Sequence, residues 1–238
     1  MTAWVDEVPT WAAGRCFVLT VGLLAAFNIA RAVGLPGPSA EWVGVLIATL
    51  VLIAWRTGAS LADLGLDRKD AGAGVLYGAG AFGLVLLVLL VAAVIPATNG
   101  FLHDSRAQIS GGRLLYELGV EVVLLTAIPE ELAFRGMLFG SGLRLWGPWR
   151  ASLISSALFG LWHIAPTLET RLHNQGVGSL AVSAGGRVVE VLGTVAVTFI
   201  AGLLLCWLRL RSKSLIAPVI AHISTNGLAL TVAWFVLH

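Results

Sequence analysis

The sequence predicts an all-α fold, a polytopic membrane bundle of about seven transmembrane helices. Hydrophobic residues make up 58% of the 238-residue chain and charged residues only 12%, and the mean hydropathy is +0.90. Both the composition and the hydropathy lie outside the range of soluble globular proteins. The apolar residues also form long runs that are separated by short polar or Gly/Pro-rich breaks. We therefore expect a single integral membrane domain over residues 1–238, embedded in a lipid bilayer.

The breaks between the apolar runs set the limits of the expected helices. Two acidic residues precede the first run and no clean cleavage site follows it, so we interpret it as a retained span rather than a signal peptide. Gly and Pro at 34–38 and at Gly147-Pro148 are typical of turns. The segment 57–70 alternates leucines with charged residues and is predicted to lie at the membrane surface. The expected spans are 15–33, 41–55, 72–95, 113–145, 149–164, 188–208 and 215–236.

The distribution of Lys and Arg over the loops predicts the orientation. Alternate assignment of the loops to the two sides places nine of the 15 basic residues on one side and five on the other, with Arg135 inside a span. Cytoplasmic loops carry the excess of positive charge, which favours a cytoplasmic N-terminus. The residue bias suggests a bacterial cytoplasmic membrane. Since the net charge is only +2 and the basic residues are scattered, no nucleic-acid partner is expected.

The stretch 127–136 places two adjacent carboxylates and a guanidinium in an apolar region. Charged groups at bilayer depth are costly and usually have a functional role. Glu131 and Arg135 are spaced i,i+4 with the acid first, the favourable order for a helical ion pair. Glu130 points about 100° away from Glu131, which leaves it as an unpaired carboxylate available for proton transfer. The alternative is that all three charges form a structural ion-pair cluster.

Polar residues from three predicted helices lie at similar depths in the membrane. Their separations from the basic helix ends are 14 residues for Glu130 from Arg144, 13 for His163 from Arg150, and 13 and 9 for Asn226 and His222 from Lys213. These separations correspond to depths of about 21, 20, 20 and 14 Å, within a hydrocarbon core of about 30 Å. Each residue alone is compatible with an interhelical hydrogen bond. Their common depth predicts that they meet at one site.

Three motifs carry a resemblance to a known family. In chain order they are Glu130-Glu131-Xaa-Xaa-Xaa-Arg135-Gly136, Phe159-Xaa-Xaa-Xaa-His163 and His222-Xaa-Xaa-Xaa-Asn226. This order resembles the CAAX protease and bacteriocin-processing family (CPBP, or Abi), intramembrane glutamic endopeptidases that include CAAX prenyl endopeptidases. The resemblance covers about half of the chain, within a motif-bearing core at about 113–236.

The resemblance implies a role for each matched residue. Glu130 would be the catalytic glutamate and His163 its partner in activating water, while His222 and Asn226 would stabilise the oxyanion. Three supporting residues would flank them, namely Glu131, Arg135 and Phe159. Neither a cofactor nor a metal is implied. The expected substrate is a peptide or membrane protein, which is lipidated for some members of the family.

Two alternatives remain open from the residues. Glu130, His163 and His222 could instead be the three protein ligands of a catalytic zinc ion. The same polar cluster could also belong to a non-catalytic membrane protein that binds peptide or lipid. The sequence contains no Gly-Xaa-Ser-Xaa-Gly elbow, His-Glu-Xaa-Xaa-His helix or Gly-Lys-Ser/Thr phosphate loop, so the functions that these motifs indicate are not favoured.

Overall fold

The computed structural model describes residues 9–32, 40–95, 105–170 and 184–238, and the regular structure in these ranges is entirely helical. Three segments are π-helical, namely Glu117–Ala127, Leu132–Leu138 and Ser224–Leu228. Short 3₁₀-helices lie at Arg68–Asp70 and Ser105–Ala107. The α-helices are α1 (Thr10–Ala32), α2 (Ala40–Thr57), α3 (Leu61–Leu64), α4 (Ala71–Val94), α5 (Gly111–Tyr116), α6 (Ile128–Glu131), α7 (Phe139–Trp162), α8 (Ile164–Thr170), α9 (Ala184–Ser212), α10 (Ile216–Ile223) and α11 (Ala229–Leu237).

Five helical stretches in the described part of the chain are long and apolar enough to cross a membrane. They are Thr10–Arg31, Ala40–Thr57, Leu61–Val94, Gly186–Ser212 and Ile216–Leu237. The predicted count of about seven is not confirmed. The other two predicted spans, 113–145 and 149–164, are helical, but the first carries the charges of the 127–136 stretch. The second is short because α7 is interrupted at Gly147, which has φ 75° and ψ 177°.

Close helix packing brings the motif-bearing helices together. α7 packs along α9, α10 packs along α4, and α1 lies against α7. These approaches depend on glycine: a Cβ on Gly78 would lie 2.7 Å from Ile220 Cδ1, and one on Gly160 would lie 2.9 Å from the carbonyl oxygen of Val195. Such distances are shorter than van der Waals contact, so small residues are needed at these crossings. The core that results contains Phe134, Met137, Leu138 and Phe159.

The charged segment between α2 and α4 packs against the protein interior. Asp63 forms an ion pair with Arg144 of α7. Arg209 of α9, which is 2% exposed, donates from Nη2 to the carbonyl oxygens of Ala62 at 3.2 Å and Asp63 at 3.0 Å. The sequence predicted a segment at the membrane surface, but these two distant arginines hold α3 against the helices that follow the Glu-Glu stretch.

Gly140 of α7 permits the close approach of α3, and its substitution tests this packing. A Cβ at this position would lie 2.5 Å from the carbonyl oxygen of Asp63. Gly140→Ala is therefore expected to destabilise the protein by about 1–3 kcal/mol, as overpacking does, although Ala is normally the better helix former. Thermal unfolding in detergent measures the effect. Gly83→Ala is the matched control because its Cβ meets nothing within 4 Å. Equal melting temperatures for the two variants would contradict the tight packing.

Candidate active site

The centre of the site is a buried ion pair that also binds a histidine. Arg135 Nη1 donates to Glu131 Oε1 at 3.0 Å, and both side chains are 0% exposed. The ion pair expected from the i,i+4 spacing is therefore present. His222 of α10 brings its Nδ1 to the same Glu131 oxygen at 2.9 Å. A carboxylate oxygen accepts hydrogen bonds, so the His222 proton lies on Nδ1.

The ring of Phe159 lies among the charged and imidazole groups. The guanidinium of Arg135 stacks over this ring, with Cζ 4.0 Å from the centroid. The ring also makes edge-to-face contacts with Phe134, His163 and His222, at centroid distances of 5.0, 4.5 and 6.0 Å. Arg135 Nε and Nη2 have no hydrogen-bond partner among the described residues. The cation–π contact therefore provides part of the stabilisation of the buried charge.

Glu130 has a different environment from its neighbour in sequence. Its Oε1 accepts a hydrogen bond from Trp162 Nε1 at 3.0 Å. Its Oε2 lies 3.9 Å from His222 Nε2, too far for a direct hydrogen bond. Within the described ranges this buried oxygen has no hydrogen-bond partner, although the side chain as a whole is 14% exposed. Glu130 therefore presents one free carboxylate oxygen beside an imidazole.

His163 lies immediately after α7, where its ring is anchored to the helix. Nδ1 is 2.8 Å from the carbonyl oxygen of Phe159. A carbonyl only accepts, so Nδ1 carries the proton and Nε2 is left with its lone pair in the neutral ring. Thr167 of α8 donates its hydroxyl to the His163 carbonyl oxygen at 2.6 Å. His163 thus has a defined tautomer, and its Nε2 makes no hydrogen bond within the described part of the chain.

The structure does not bring Asn226 into contact with the other predicted residues. Asn226 is exposed, and its side chain makes no hydrogen bond to any other described residue. It follows His222 by four residues, but the chain passes into the π-helical segment Ser224–Leu228 between them. The i,i+4 spacing of Glu131 and Arg135 also runs into a π-helical segment, and there it does form a contact. The spacing alone therefore does not determine whether His222 and Asn226 act together.

Wider backbone turns flank the Glu-Glu pair on both sides. The short α-helix Ile128–Glu131 lies between π-helical Glu117–Ala127 and Leu132–Leu138. Pro129 has no backbone N–H and so cannot donate a helical hydrogen bond. Neighbouring backbone groups in membrane helices adjust around such a position. Segments of π-helix are frequent at functional sites, and here two of them flank the residues that carry the two carboxylates.

Two residues of the site were missed by the sequence reasoning. Trp162 was overlooked although it adjoins His163, and its indole is the hydrogen-bond donor to Glu130. Asn28 lies in the first span, where no diagnostic residue was recognised, and its Nδ2 donates to the carbonyl oxygen of Trp162 at 3.2 Å. An amide within a largely apolar span was the available signal.

The arrangement of possible metal ligands bears on the zinc alternative. Among the residues that the structure describes, no three His, Cys, Asp or Glu side chains are grouped so that they could hold a metal ion. A catalytic zinc site needs three protein ligands around one point. Glu130, His163 and His222 do not form such a set in the geometry described.

The fold and the site together define a helical membrane protein with a buried carboxylate–imidazole cluster. A family model described as type II CAAX prenyl endopeptidase Rce1-like matches residues 114–228, which include the Glu-Glu stretch and both later motifs. This stretch is similar to the CAAX-type membrane proteases of that family, and the resemblance found in the sequence is confirmed there. With five apolar helices in the ranges that the structure describes, the chain is an integral membrane protein. No curated protein and no solved structure matches the chain.

Proposed function

We propose that this chain is a metal-independent intramembrane glutamic endopeptidase that hydrolyses a peptide bond with Glu130 as the general base. One observation supports this assignment above the others. The Glu130 carboxylate is fixed through Oε1 by Trp162, while Oε2 has no hydrogen-bond partner in the described part of the chain and faces His222. A base needs a positioned oxygen with a free lone pair within reach of water.

Glu130 and His163 together activate the attacking water. One O–H bond of the water breaks and its proton moves to Glu130 Oε2, while the water oxygen bonds to the peptide carbonyl carbon. Because Nδ1 of His163 donates to the Phe159 carbonyl oxygen, the lone pair of the neutral ring lies on Nε2. This nitrogen accepts a hydrogen bond from the remaining water proton and so orients the water oxygen. The carbonyl π electrons move to oxygen and form the oxyanion. Collapse of this intermediate breaks the C–N bond, and Glu130 returns the proton to the leaving amine.

His222 and Asn226 stabilise the oxyanion. His222 directs Nδ1 to Glu131, so only Nε2 is available to a substrate. A proton on Nε2 makes the ring a cation that donates to the developing negative charge, the largest single contribution in many acyl-transfer enzymes. Glu131 and Arg135 hold that imidazole in place. The Asn226 amide joins this donor set when a substrate backbone occupies the site.

The whole chain is one integral membrane domain over 1–238, with the catalytic core at about 113–236. Helices 113–145 and 149–164 also enter the bilayer, which gives about seven transmembrane helices. The continuous helical stretch 111–146 contains 36 residues. Its π-helical segments make it shorter than the ~54 Å of an ideal α-helix of that length, which leaves enough to cross a core of about 30 Å. The distribution of basic residues over the loops favours a cytoplasmic N-terminus, in a bacterial cytoplasmic membrane.

The substrate is a peptide or membrane protein presented from the bilayer, and the family description favours a prenylated tail. No cofactor and no nucleic acid take part. Glu130 lies within an apolar helical bundle, so a lipid-anchored peptide would reach it more readily than a freely soluble one.

Cleavage of defined peptides tests the proposed function. Detergent-purified protein is incubated with a farnesylated CAAX peptide, its unprenylated counterpart and a peptide library, each with and without a chelator, and the products are identified by mass spectrometry. We expect internal cleavage of the prenylated peptide at a rate that the chelator leaves unchanged. Loss of cleavage with chelator would assign a metalloprotease, while absence of cleavage by the wild type would favour the peptide- or lipid-binding protein.

A further inference from the structure

Trp162 contacts the carboxylate on which the proposed reaction depends. Its Nε1–H donates to Glu130 Oε1 at 3.0 Å, and its ring packs edge to face with Phe134 at a centroid distance of 6.0 Å. A tryptophan in an apolar bundle can serve packing alone. However, a buried indole N–H requires an acceptor, and this one uses a carboxylate oxygen. A hydrogen bond to an ionised acceptor is stronger and more directional than one between neutral groups.

The backbone of Trp162 is held separately by the first helix. Trp162 is the last residue of α7, and the final carbonyls of a helix have no partner within the helix. Asn28 of α1 satisfies the Trp162 carbonyl through Nδ2 at 3.2 Å. The indole is therefore fixed from two sides, by its backbone and by Glu130. This contact also connects the N-terminal span to the candidate site.

We propose that Trp162 is a positioning residue that selects Oε2 of Glu130 as the basic oxygen, an inference that rests on the endopeptidase function proposed above. A carboxylate without this donor can rotate about its terminal torsion, since that torsion is broad, and present either oxygen. With Oε1 held by the indole, Oε2 stays directed towards His222 Nε2 at 3.9 Å. The proton of the attacking water then has one defined destination.

Kinetics of Trp162→Phe test this role, because Phe keeps most of the ring but removes the donor. We expect kcat to fall on the order of 10- to 100-fold, as for loss of a hydrogen bond to a charged group, while KM changes less than about twofold. Trp162→Gln, which supplies an N–H donor, should recover part of kcat. The matched control is Trp234→Phe, because the wild-type Trp234 indole also donates a hydrogen bond, to the Ile109 carbonyl oxygen at 2.8 Å. Similar losses in both Phe variants, or a change in KM alone, would overturn the proposal.

A spectrum that needs no substrate separates this proposal from the proposed function. In ¹⁵N-tryptophan-labelled protein, the Trp162 indole resonance is assigned by its absence in Trp162→Phe. Glu130→Gln should move this resonance upfield, because an amide oxygen is a weaker acceptor than a carboxylate, and should leave that of Trp234 in place. An unmoved Trp162 resonance would reject the hydrogen bond. Failure of the wild type to cleave any peptide would instead count against the endopeptidase function.

Discussion

Glu130→Gln is expected to lower the rate of peptide cleavage by about 10²–10⁴-fold, the usual contribution of a general base. The substitution keeps the size of the side chain, and its amide oxygen can still accept the hydrogen bond that Trp162 donates to Oε1. It removes the second carboxylate oxygen, which has no hydrogen-bond partner among the described residues and is the proposed proton acceptor. The rate is measured on the prenylated peptide by mass spectrometry, with thermal unfolding to confirm that the variant is folded.

The matched control for this variant is Glu117→Gln on the same helical stretch. Glu117 forms an ion pair with Arg113 at 2.6 Å, and these side chains are 26% and 51% exposed. Exposed pairs contribute about 0–1 kcal/mol, so this variant should retain wild-type activity. Full activity in Glu130→Gln would remove Glu130 from the mechanism. Equal loss in both variants would indicate a general effect of removing carboxylates from this helix.

Contacts within one helix could be predicted from the sequence because spacing alone determines them. Glu131 and Arg135 are separated by one turn of a single helical stretch, and their pairing follows from that separation. The assignment of Glu130 to a separate environment followed from the angle between neighbouring residues. The presence of the helices could also be predicted from the sequence, because long apolar runs between turn residues indicate helices with little dependence on tertiary contacts.

Contacts between helices could not be predicted in the same way. Depth arguments give the height of a residue in the membrane, whereas packing determines which way each helix faces. The hydrogen bond between Trp162 and Glu130 joins residues 32 apart, and the one between Asn28 and Trp162 joins residues 134 apart. The position of Asn226 shows the same limit, because its predicted depth does not determine which neighbour its side chain meets, and the side chain is exposed.

The packing of α3 could not be predicted from the residues of that segment alone, because the side chains that bind it lie far away in the sequence. Alternating leucines and charges at 57–70 predicted an interfacial segment, and α3 does form there. Arg144 forms an ion pair with the Asp63 carboxylate, and Arg209 donates to the backbone carbonyl oxygen of Asp63. Both arginines follow Asp63 by more than 80 residues in the chain. No spacing rule relates such positions. The two arginines were assigned only to the basic loops that determine orientation.

Arg135→Met should destabilise the protein by about 3–5 kcal/mol, which is the usual effect of removing one partner from a buried ion pair. Arg135 and Glu131 are both 0% exposed, so the remaining carboxyl group would be buried without its cationic partner. His222 also contacts Glu131 through Nδ1 and provides partial compensation, which places the expected value near the lower end. The free energy of unfolding is measured by denaturant titration of the detergent-solubilised protein.

A second substitution separates the loss of the pair from the loss of packing. Glu131→Gln combined with Arg135→Met removes both buried charges, and the double variant should recover much of the stability that Arg135→Met loses. Arg113→Met at the exposed Arg113–Glu117 pair is the matched control, with an expected loss of about 0–1 kcal/mol. If Arg135→Met matched that control, Glu131 would not be an ionised, buried carboxylate. The charge that is proposed to hold His222 as an oxyanion donor would then be absent, and His222 would have to be oriented by packing against Phe159 alone.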